Sequence, residues 1–253
     1  MDTGSFELFS RQMPFLGEEN QVKLSKAKVV VVGAGGLGSH VSDMLVRAGV
    51  GVVRIIDRDL VEMSNIPRTA VFRREDIGKA KAFVLAEKLA GINPEGRLVY
   101  ASAVLNDYNA EKFLAGFDVV VDCTDNIESR YAVNKFCVKN KIPWVYGAVI
   151  RDEGFSAAFA AGGRPCLSCL YEGKPKKTEK ASEAGILGPA VATIASWQAM
   201  ETIKILTGMA EPDYGKLFRM KLAKPHFELL AIKPWEDCDV CGKDVLEYRR
   251  RPS

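Results

Sequence analysis

A glycine-rich turn between a hydrophobic strand and a helix is the first feature of this sequence that could bind a ligand. Gly33, Gly35 and Gly38 have the G-x-G-x-x-G spacing, and Gly36 lies between them. The backbone N–H groups of such a turn, together with the positive end of the following helix, attract phosphate. Asp57 ends the next hydrophobic strand, where a carboxylate can accept hydrogen bonds from ribose hydroxyls. The pattern therefore predicts a nucleotide site, and taken alone it favours NAD.

Cationic and polar residues after Asp57 favour a triphosphate over a dinucleotide. Asn65 and Arg68 follow the second strand in a segment predicted to be irregular, and Lys79 and Lys81 lie at the start of the next helix. A triphosphate carries more negative charge than the diphosphate of NAD, and cationic donors stabilise the transition states of phosphoryl-type transfers. Each cation could also be a solvated surface charge. Their common position after one nucleotide turn nevertheless predicts a triphosphate site.

An acidic motif follows another hydrophobic strand. Residues 117–122 (FDVVVD) are predicted to form a strand buried on both faces, and Asp125 and Asn126 come just after it. Ligands of open α/β sheets bind beyond the carboxyl ends of the strands, where a carboxylate suits a Mg²⁺ ion that bridges phosphates. We therefore expect Asp125 to bind Mg²⁺. Asp122 is the second candidate, but it is closer to the strand and is expected instead to cap the following helix.

Two C-x-x-C pairs predict a metal site. The first pair is Cys166 and Cys169, and the second is Cys238 and Cys241. The two-residue spacer lets both thiolates of a pair bind one ion, and four thiolates suit tetrahedral zinc. The gap between the pairs is longer than in zinc ribbons, so the spacing by itself favours a zinc site without establishing it. Such a site would tie the C-terminal region to the middle of the chain in a structural role, away from the chemistry.

The elements that must position these residues alternate between strand and helix in the first half of the chain. After a helix-prone segment at 10–27, strands are predicted at 28–32, 52–56, 97–104 and 117–122, with helices near 39–49, 79–90 and 129–140. This alternation predicts a parallel sheet. Later strand-like segments at 144–149, 155–161, 217–222 and 227–232 are predicted to be antiparallel additions to it. The fold class predicted is therefore α/β, with a Rossmann-like, mostly parallel sheet extended by antiparallel strands and a four-cysteine zinc site.

Two further segments of the second half differ from the strands around them. Residues 189–207 predict a buried helix, because they are nearly all apolar, begin at Pro189 and end before Gly208. Residues 171–183 are polar, charged and proline-bearing, and we expect a mobile loop there.

Length and composition allow a sizeable core. The chain has 253 residues, of which 47% are apolar. We expect one domain over residues 1–253, with a nucleotide-binding half at about 28–130 and an antiparallel and zinc-binding half at about 131–242.

Charge and hydropathy indicate neither a nucleic acid nor a membrane as the main partner. The 35 basic and 32 acidic residues give a net charge of +3, which makes nucleic acid an unexpected main partner. The first 15 residues lack the apolar core of a signal peptide, and no stretch approaches the roughly 18 apolar residues of a membrane span. The sequence is therefore expected to be that of a cytoplasmic protein with no membrane partner.

Taken together in order, the motifs resemble those of the ThiF/MoeB/HesA adenylyltransferases. They are Arg11-Gln12, Gly33–Gly38, Asp57-x-Asp59, Ser64-Asn65-x-x-Arg68, Gly78-x-x-Lys81, Asp122–Asn126, Cys166-x-x-Cys169, Glu183-Ala184-Gly185 and Cys238-x-x-Cys241. The resemblance runs from about residue 5 to residue 242. No single motif is specific, but their combination is.

The resemblance implies a homodimeric enzyme that uses ATP, Mg²⁺ and zinc. Its substrate would be a small ubiquitin-like or sulfur-carrier protein ending in Gly-Gly, whose C-terminal carboxylate becomes an acyl-adenylate while pyrophosphate is released. The implied nucleotide-binding residues are Gly33, Gly35, Gly36, Gly38, Asp57, Asp59, Asn65, Arg68, Lys81, Asp125 and Asn126. The implied catalytic residues are Arg11, Arg68, Lys81 and Asp125, with Arg11 reaching the ATP of the other subunit. Zinc would be held by the four paired cysteines.

One position departs from part of this family. Members that bind their partner covalently carry a cysteine two residues before Glu183, where this chain has Ala181. Cys123 and Cys137 are most simply core thiols. The departure places a covalent step in doubt and favours transfer of the activated carboxylate to an external sulfur donor. Molybdopterin synthesis, thiamine synthesis and tRNA thiolation are equally compatible pathways.

Three alternatives stay open at this point. A tRNA threonylcarbamoyladenosine dehydratase would activate a nucleoside-attached carboxylate with a similar fold. An NAD-dependent oxidoreductase would need a proton-transfer group, and the chain's two histidines, His40 and His226, are expected to be structural. A binding scaffold without catalysis would have no need of the triphosphate-binding residues.

Overall fold

The computed structural model describes residues 7–173 and 184–242. Its strands are β1 (Lys28–Val32), β2 (Val52–Ile56), β3 (Arg97–Ala101), β4 (Val119–Asp122), β5 (Trp144–Ile150), β6 (Glu153–Phe159), β7 (Lys216–Lys221) and β8 (His226–Ala231). Its α-helices are α1 (Met13–Leu16), α2 (Glu18–Lys26), α3 (Gly36–Arg47), α4 (Lys81–Leu89), α5 (Ala110–Leu114), α6 (Ile127–Asn140), α7 (Leu167–Leu170) and α8 (Gly188–Thr207). Two 3₁₀ helices, Met63–Arg68 and Arg74–Asp76, form where the sequence predicted irregular chain.

All eight strands form one sheet, in the order β3-β2-β1-β4-β5-β6-β7-β8. Strands β3, β2, β1, β4 and β5 pair in parallel with one another, and the pairs β5–β6, β6–β7 and β7–β8 are antiparallel. The predicted fold class is therefore confirmed. The first five strands have the order of a dinucleotide-binding sheet, in which the strand order reverses between β1 and β4.

One sequence prediction about the sheet was wrong. The segment at 144–149 was expected to be antiparallel, but β5 pairs in parallel with β4 through Val120 and Trp144. The reason is the 14-residue helix α6, which connects the two strands as a crossover and returns the chain to the same edge of the sheet. The antiparallel part begins at β6, after a short connection from β5.

Helices cover both faces of the sheet. On one face α8 packs against α3, β5 and β6, and its end at Gly208 has the left-handed conformation expected there. On the other face α5, α6 and the four paired cysteines share a second cluster of buried residues with β4 and β5. Within the described ranges, no helix has both the length and the apolar character needed to cross a membrane.

Candidate nucleotide-binding cleft and cysteine cluster

A cleft of about 630 Å³ lies beyond the carboxyl ends of β1, β2 and β4. This is the switch point of the sheet, where ligands of such folds bind. The structure brings nine of the predicted residues to its lining: Gly33, Gly35, Gly36, Asp57, Asp59, Arg68, Lys81, Asp125 and Asn126. They come from the three connections that follow β1, β2 and β4, so the sheet topology is what assembles them.

The floor of the cleft is the glycine turn, which leaves no space for a side chain at Gly33 or Gly38. Gly33 has φ +98°, and a Cβ atom there would lie 2.6 Å from the carbonyl oxygen of Cys123. A Cβ atom at Gly38 would lie 1.8 Å from the carbonyl oxygen of Gly33. The lack of a side chain at Gly38 therefore lets α3 pack on the turn, and Gly38 is not among the described residues that line the cleft. Its predicted contact with a nucleotide stays a prediction.

Asp57 organises the turn from the neighbouring strand. One carboxylate oxygen accepts a hydrogen bond from the Ala34 N–H at 2.7 Å, and the other accepts from the Asp59 N–H at 2.7 Å. Burial raises the pKa of Asp57, while these two donors and the charge of Lys81 oppose that effect. Each carboxylate oxygen has a second lone pair, so Asp57 can also accept a bond from a ribose hydroxyl.

Two cations reach the cleft on the side of β2. The Lys81 ammonium is 3.1 Å from a carboxylate oxygen of Asp59, and its side chain is only 10% exposed. Arg68, the last residue of the first 3₁₀ helix, donates to the carbonyl of Ser64. Both cations are thus held at the cleft by short contacts within the chain, and the anion of a bound ligand would meet them there.

The acidic motif after β4 divides into a buried and an exposed carboxylate. Asp122 is fully buried and accepts hydrogen bonds from the Thr124 backbone at 3.0 Å and its hydroxyl at 2.7 Å. Burial raises the pKa of Asp122, opposed by the charge of Arg130 and by the bonds from Thr124. Asp125, by contrast, is exposed at the cleft. An exposed carboxylate beside a phosphate site fits a Mg²⁺ ion, which binds one or two carboxylates together with substrate phosphates.

The expected helix cap at Asp122 was wrong. The residue that caps α6 is Asn126, whose side-chain oxygen accepts from the Ser129 N–H at 2.8 Å. Asx residues favour this position because their short side chain reaches the free N–H groups of the first turn. Asn126 therefore combines capping with a place in the lining of the cleft.

Besides Gly38, two predicted residues lie outside the lining of this cleft. Asn65 is buried, and its side-chain oxygen accepts from the Glu62 N–H at 3.0 Å, which caps the 3₁₀ helix that carries Arg68. Arg11 is exposed near the N-terminus, beside Gln12, which donates to the carbonyl of Ala48 at 2.9 Å. Ala48 follows the C-terminal end of α3, whereas the cleft is at the N-terminal end of that helix.

The sequence reasoning missed part of the lining. Arg130 on α6 lines the cleft although it was not singled out, and its signal was a cation five residues after Asp125. Residues 103–105, after β3, and Ile186 and Val191, near the start of α8, add apolar walls. No motif marks these apolar positions, because their role depends on which loops the sheet brings together.

The four paired cysteines converge in the second core. Their Sγ atoms all lie within 4.8 Å of one another, with Cys166 3.6 Å from Cys238, Cys169 3.4 Å from Cys241, and Cys238 3.6 Å from Cys241. A tetrahedral zinc ion with Zn–S bonds of about 2.3 Å separates its sulfur ligands by about 3.8 Å. The four buried thiols therefore fit zinc, and the predicted cluster is confirmed.

Asn134 of α6 supports the first pair of cysteines. Its side-chain nitrogen donates to Cys166 Sγ at 3.6 Å and to the Ser168 hydroxyl at 3.2 Å, while its oxygen accepts from the Leu167 N–H at 3.1 Å. Such second contacts orient metal ligands. Helix α6 thus contacts both the cleft, through its N-terminal residues, and the cysteine cluster.

The two remaining cysteines and the two histidines have no place in a metal site within the described residues. Cys123 and Cys137 are buried, as predicted, and burial raises the pKa of both thiols well above its usual value. Neither His40 nor His226 lines the cleft among the described residues. Ala181 and Glu183, which the sequence analysis singled out, lie outside the described ranges.

Comparison with known proteins places this arrangement in a family. The chain is 37% identical over 248 residues to the sulfur carrier protein adenylyltransferase of Thermus thermophilus, covering 94% of this chain and 92% of that protein. It is 34% identical over 238 residues to the molybdopterin-synthase adenylyltransferase of Escherichia coli, covering 94% of each. A crystal structure of E. coli MccB with ATP matches with a TM-score of 0.78 and 27% identity, over 88% of this chain and 69% of that one.

The match to the family extends over nearly the whole chain. The model of the ThiF family matches residues 9–240, a range that includes the glycine turn, the cleft and three of the four paired cysteines, with Cys241 directly after its end. This chain belongs to the ThiF family.

Proposed function

We propose that this chain is an ATP-dependent adenylyltransferase that activates the C-terminal carboxylate of a small sulfur-carrier protein. The observation that carries the proposal is the cleft itself, in which Arg68, Lys81 and Asp125 surround a glycine turn at the switch point of the sheet. Relatives that match over more than 90% of their length are named as sulfur carrier and molybdopterin-synthase adenylyltransferases, which supports the same substrate class here.

The proposed reaction needs positioning and charge neutralisation more than proton transfer. A glycine carboxylate oxygen attacks the α-phosphorus of ATP, a new C–O–P bond forms, and the bond from the α-phosphorus to the bridging oxygen breaks as pyrophosphate leaves. The carboxylate is already ionised at neutral pH, so no general base is required. Arg68 and Lys81 would stabilise the charge that develops on the phosphates, and Asp125 would hold Mg²⁺, which supplies further charge neutralisation.

Two nucleotide-site residues receive a supporting role in this proposal. Asp59 would hold Lys81 in place through its ion pair. Asn65 would cap the 3₁₀ helix that carries Arg68. For Asn65 itself to contact the triphosphate, its side-chain oxygen would have to release the Glu62 N–H. Asp57 would hold the ribose, and Gly33, Gly35 and Gly36 would surround the phosphates.

A homodimer would complete the site through Arg11. In its own chain, Arg11 lies next to a residue fixed at the far end of α3 from the cleft. The 12 residues of α3 span about 18 Å at 1.5 Å per residue, which is too far for an arginine side chain to cross. An Arg11 that contacts ATP would therefore do so in the cleft of a partner subunit.

Zinc would hold the C-terminal region to the core in one adenylyltransferase domain. The proposed enzyme forms no covalent bond to its carrier, since its four paired thiols would be metal ligands and Cys123 and Cys137 are buried. An external sulfur donor would then receive the activated carboxylate. Adduct-free carrier on non-reducing gels is the expected result, and a thiol-sensitive adduct would contradict this point.

Pyrophosphate exchange tests the proposed reaction directly. The protein is incubated with Mg-ATP, labelled pyrophosphate and candidate carriers ending in Gly-Gly, with carriers lacking the last glycine as the control. Exchange that depends on the intact carrier is expected. Exchange with a threonylcarbamoyl-adenosine tRNA and none with any carrier would favour the dehydratase, and NAD binding without ATP binding would favour an oxidoreductase.

A further inference from the structure

A series of contacts joins the cysteine cluster to the nucleotide cleft. Tyr171 follows Cys169 by two residues, and its hydroxyl is 2.9 Å from the hydroxyl of Tyr146 on β5. The guanidinium of Arg130 lies over the ring of Tyr146, 5.1 Å from its centre. Arg130 itself lines the cleft. Three side chains therefore span the region between the two sites.

At the cleft end, Arg130 holds the backbone that precedes Asp125. It donates to the carbonyl of Thr124, and to the carbonyl of Gly147 at 3.3 Å. Its Nε atom is also 3.5 Å from a carboxylate oxygen of Asp122. A displaced guanidinium would leave a buried carboxylate without its counter-charge, so the position of Arg130 and that of the turn at Thr124 depend on each other.

At the other end, the cysteine cluster fixes the position of Tyr171. Cys169 lies in α7, which ends at Leu170, directly before Tyr171. The Sγ atom of Cys169 is one of the four sulfurs that fit zinc. Tyr146 is 2% exposed, so its ring has little freedom to follow a movement of its partner without disturbing the core.

We infer that Tyr171 is a positioning residue for the nucleotide cleft. It transmits the geometry of the cysteine cluster through Tyr146 to Arg130, and thereby sets where Asp125 meets Mg-ATP. The inference rests on the proposed function, because it takes nucleotide with its metal ion as the ligand of the cleft. It assigns the cysteine cluster an effect on ligand affinity in addition to its effect on stability.

Tyr131 provides a matched control for a purely structural role. Its hydroxyl donates to the carbonyl of Gly173, two residues after Tyr171, and so anchors the same segment. That bond includes neither Tyr146 nor Arg130. The Tyr131 bond lies beyond Tyr171 in the chain, so its loss should leave the contact of Tyr171 with Tyr146, and that of Tyr146 with Arg130, in place.

The test compares Tyr171→Phe with Tyr131→Phe in the zinc-loaded protein. Zinc content is measured first, followed by ATP affinity from calorimetry with and without Mg²⁺. We expect both variants to keep their zinc. Tyr171→Phe should weaken Mg-ATP binding by about fivefold or more, the lower range of coupling between sites, with a smaller effect when Mg²⁺ is absent. Tyr131→Phe should keep the wild-type affinity within about twofold.

A second measurement removes zinc from the wild type and from Tyr171→Phe. Zinc removal should weaken Mg-ATP binding in the wild type and have less effect in the variant, whose connection to the cleft is already lost. Wild-type affinity in zinc-loaded Tyr171→Phe would overturn the inference, as would equal losses in the two tyrosine variants. Absence of ATP binding in the wild type would refute the proposed function itself, whereas the first two outcomes leave that function intact.

Discussion

At the residue scale, the cleft combines residues that line it with residues that hold those in place. Nine of the proposed nucleotide-site residues line one cavity, because each follows a strand whose end is marked by a hydrophobic run. Asn65 caps a 3₁₀ helix and Gly38 admits a close helix contact, so both have a local structural role. Their predicted contact with the nucleotide stays a prediction. The spacing of residues in the sequence shows that a residue is near a site, but not which atoms form hydrogen bonds with its side chain.

The charge of Lys81 provides the prediction at this scale. Lys81→Ala removes a nearly buried cation from the phosphate side of the cleft and breaks the ion pair between Lys81 and Asp59. Carrier-dependent pyrophosphate exchange should fall about a hundredfold or more, as when a donor to a developing oxyanion is removed. Arg68→Ala should have a similar effect.

Lys79→Ala is the control for Lys81→Ala. Lys79 is an exposed lysine two residues away and is not among the described residues that line the cleft. The Lys79→Ala variant should retain a near wild-type rate of pyrophosphate exchange. Wild-type rates in both Lys81→Ala and Arg68→Ala would disprove the assignment of these cations.

At the scale of elements, the pattern of hydrophobic runs predicted where strands and helices lie, but not every direction of pairing. The strand at 144–149 reads as alternating and was taken for an antiparallel addition, whereas α6 makes it the fifth parallel strand. Short elements such as α5 and α7 were also not predicted, since four or five residues carry little periodicity. Helix α6 contacts the cleft through its N-terminal residues and the cysteine cluster through Asn134, near its middle.

The cysteine cluster provides the prediction for these elements. One zinc ion per chain is expected from metal analysis, and Cys166→Ser should lose it. Because the four ligands join α7 to the C-terminal region within the core, metal loss should lower the melting temperature on the order of 10 °C. Cys137→Ser, at a buried thiol outside the cluster, should keep its zinc. A wild-type protein without zinc would refute the assignment.

At the scale of the whole molecule, the order of the strands explains why residues far apart in sequence meet. The switch between β1 and β4 opens the cleft, and the antiparallel strands β6 to β8 extend the sheet away from it. The sequence predicted this architecture from alternation of elements. It could not give the position of Arg11 relative to a cleft, because the proposed contact between two subunits would not be encoded in any local pattern.

Subunit mixing tests the proposed role of Arg11. Arg11→Ala and Asp125→Ala should each be inactive alone. If Arg11 acts in the partner's cleft, a mixed dimer has one cleft with both lesions and one intact cleft, so equal mixing restores up to about a quarter of wild-type activity. Subunit exchange is verified with tagged chains. Exchange without recovery would show that Arg11 acts within its own chain.

The close backbone contacts of Gly33 and Gly38 limit where the cleft could change to prefer another ligand. Gly33 and Gly38 touch backbone atoms, so any larger residue there would displace a strand end instead of reshaping the cleft. Residues 103–105 line the cleft through a loop after the edge strand β3, and Arg58 has a 71% exposed side chain. Directed evolution toward another nucleotide should therefore accumulate its changes along this outer wall, while the glycine floor stays unaltered.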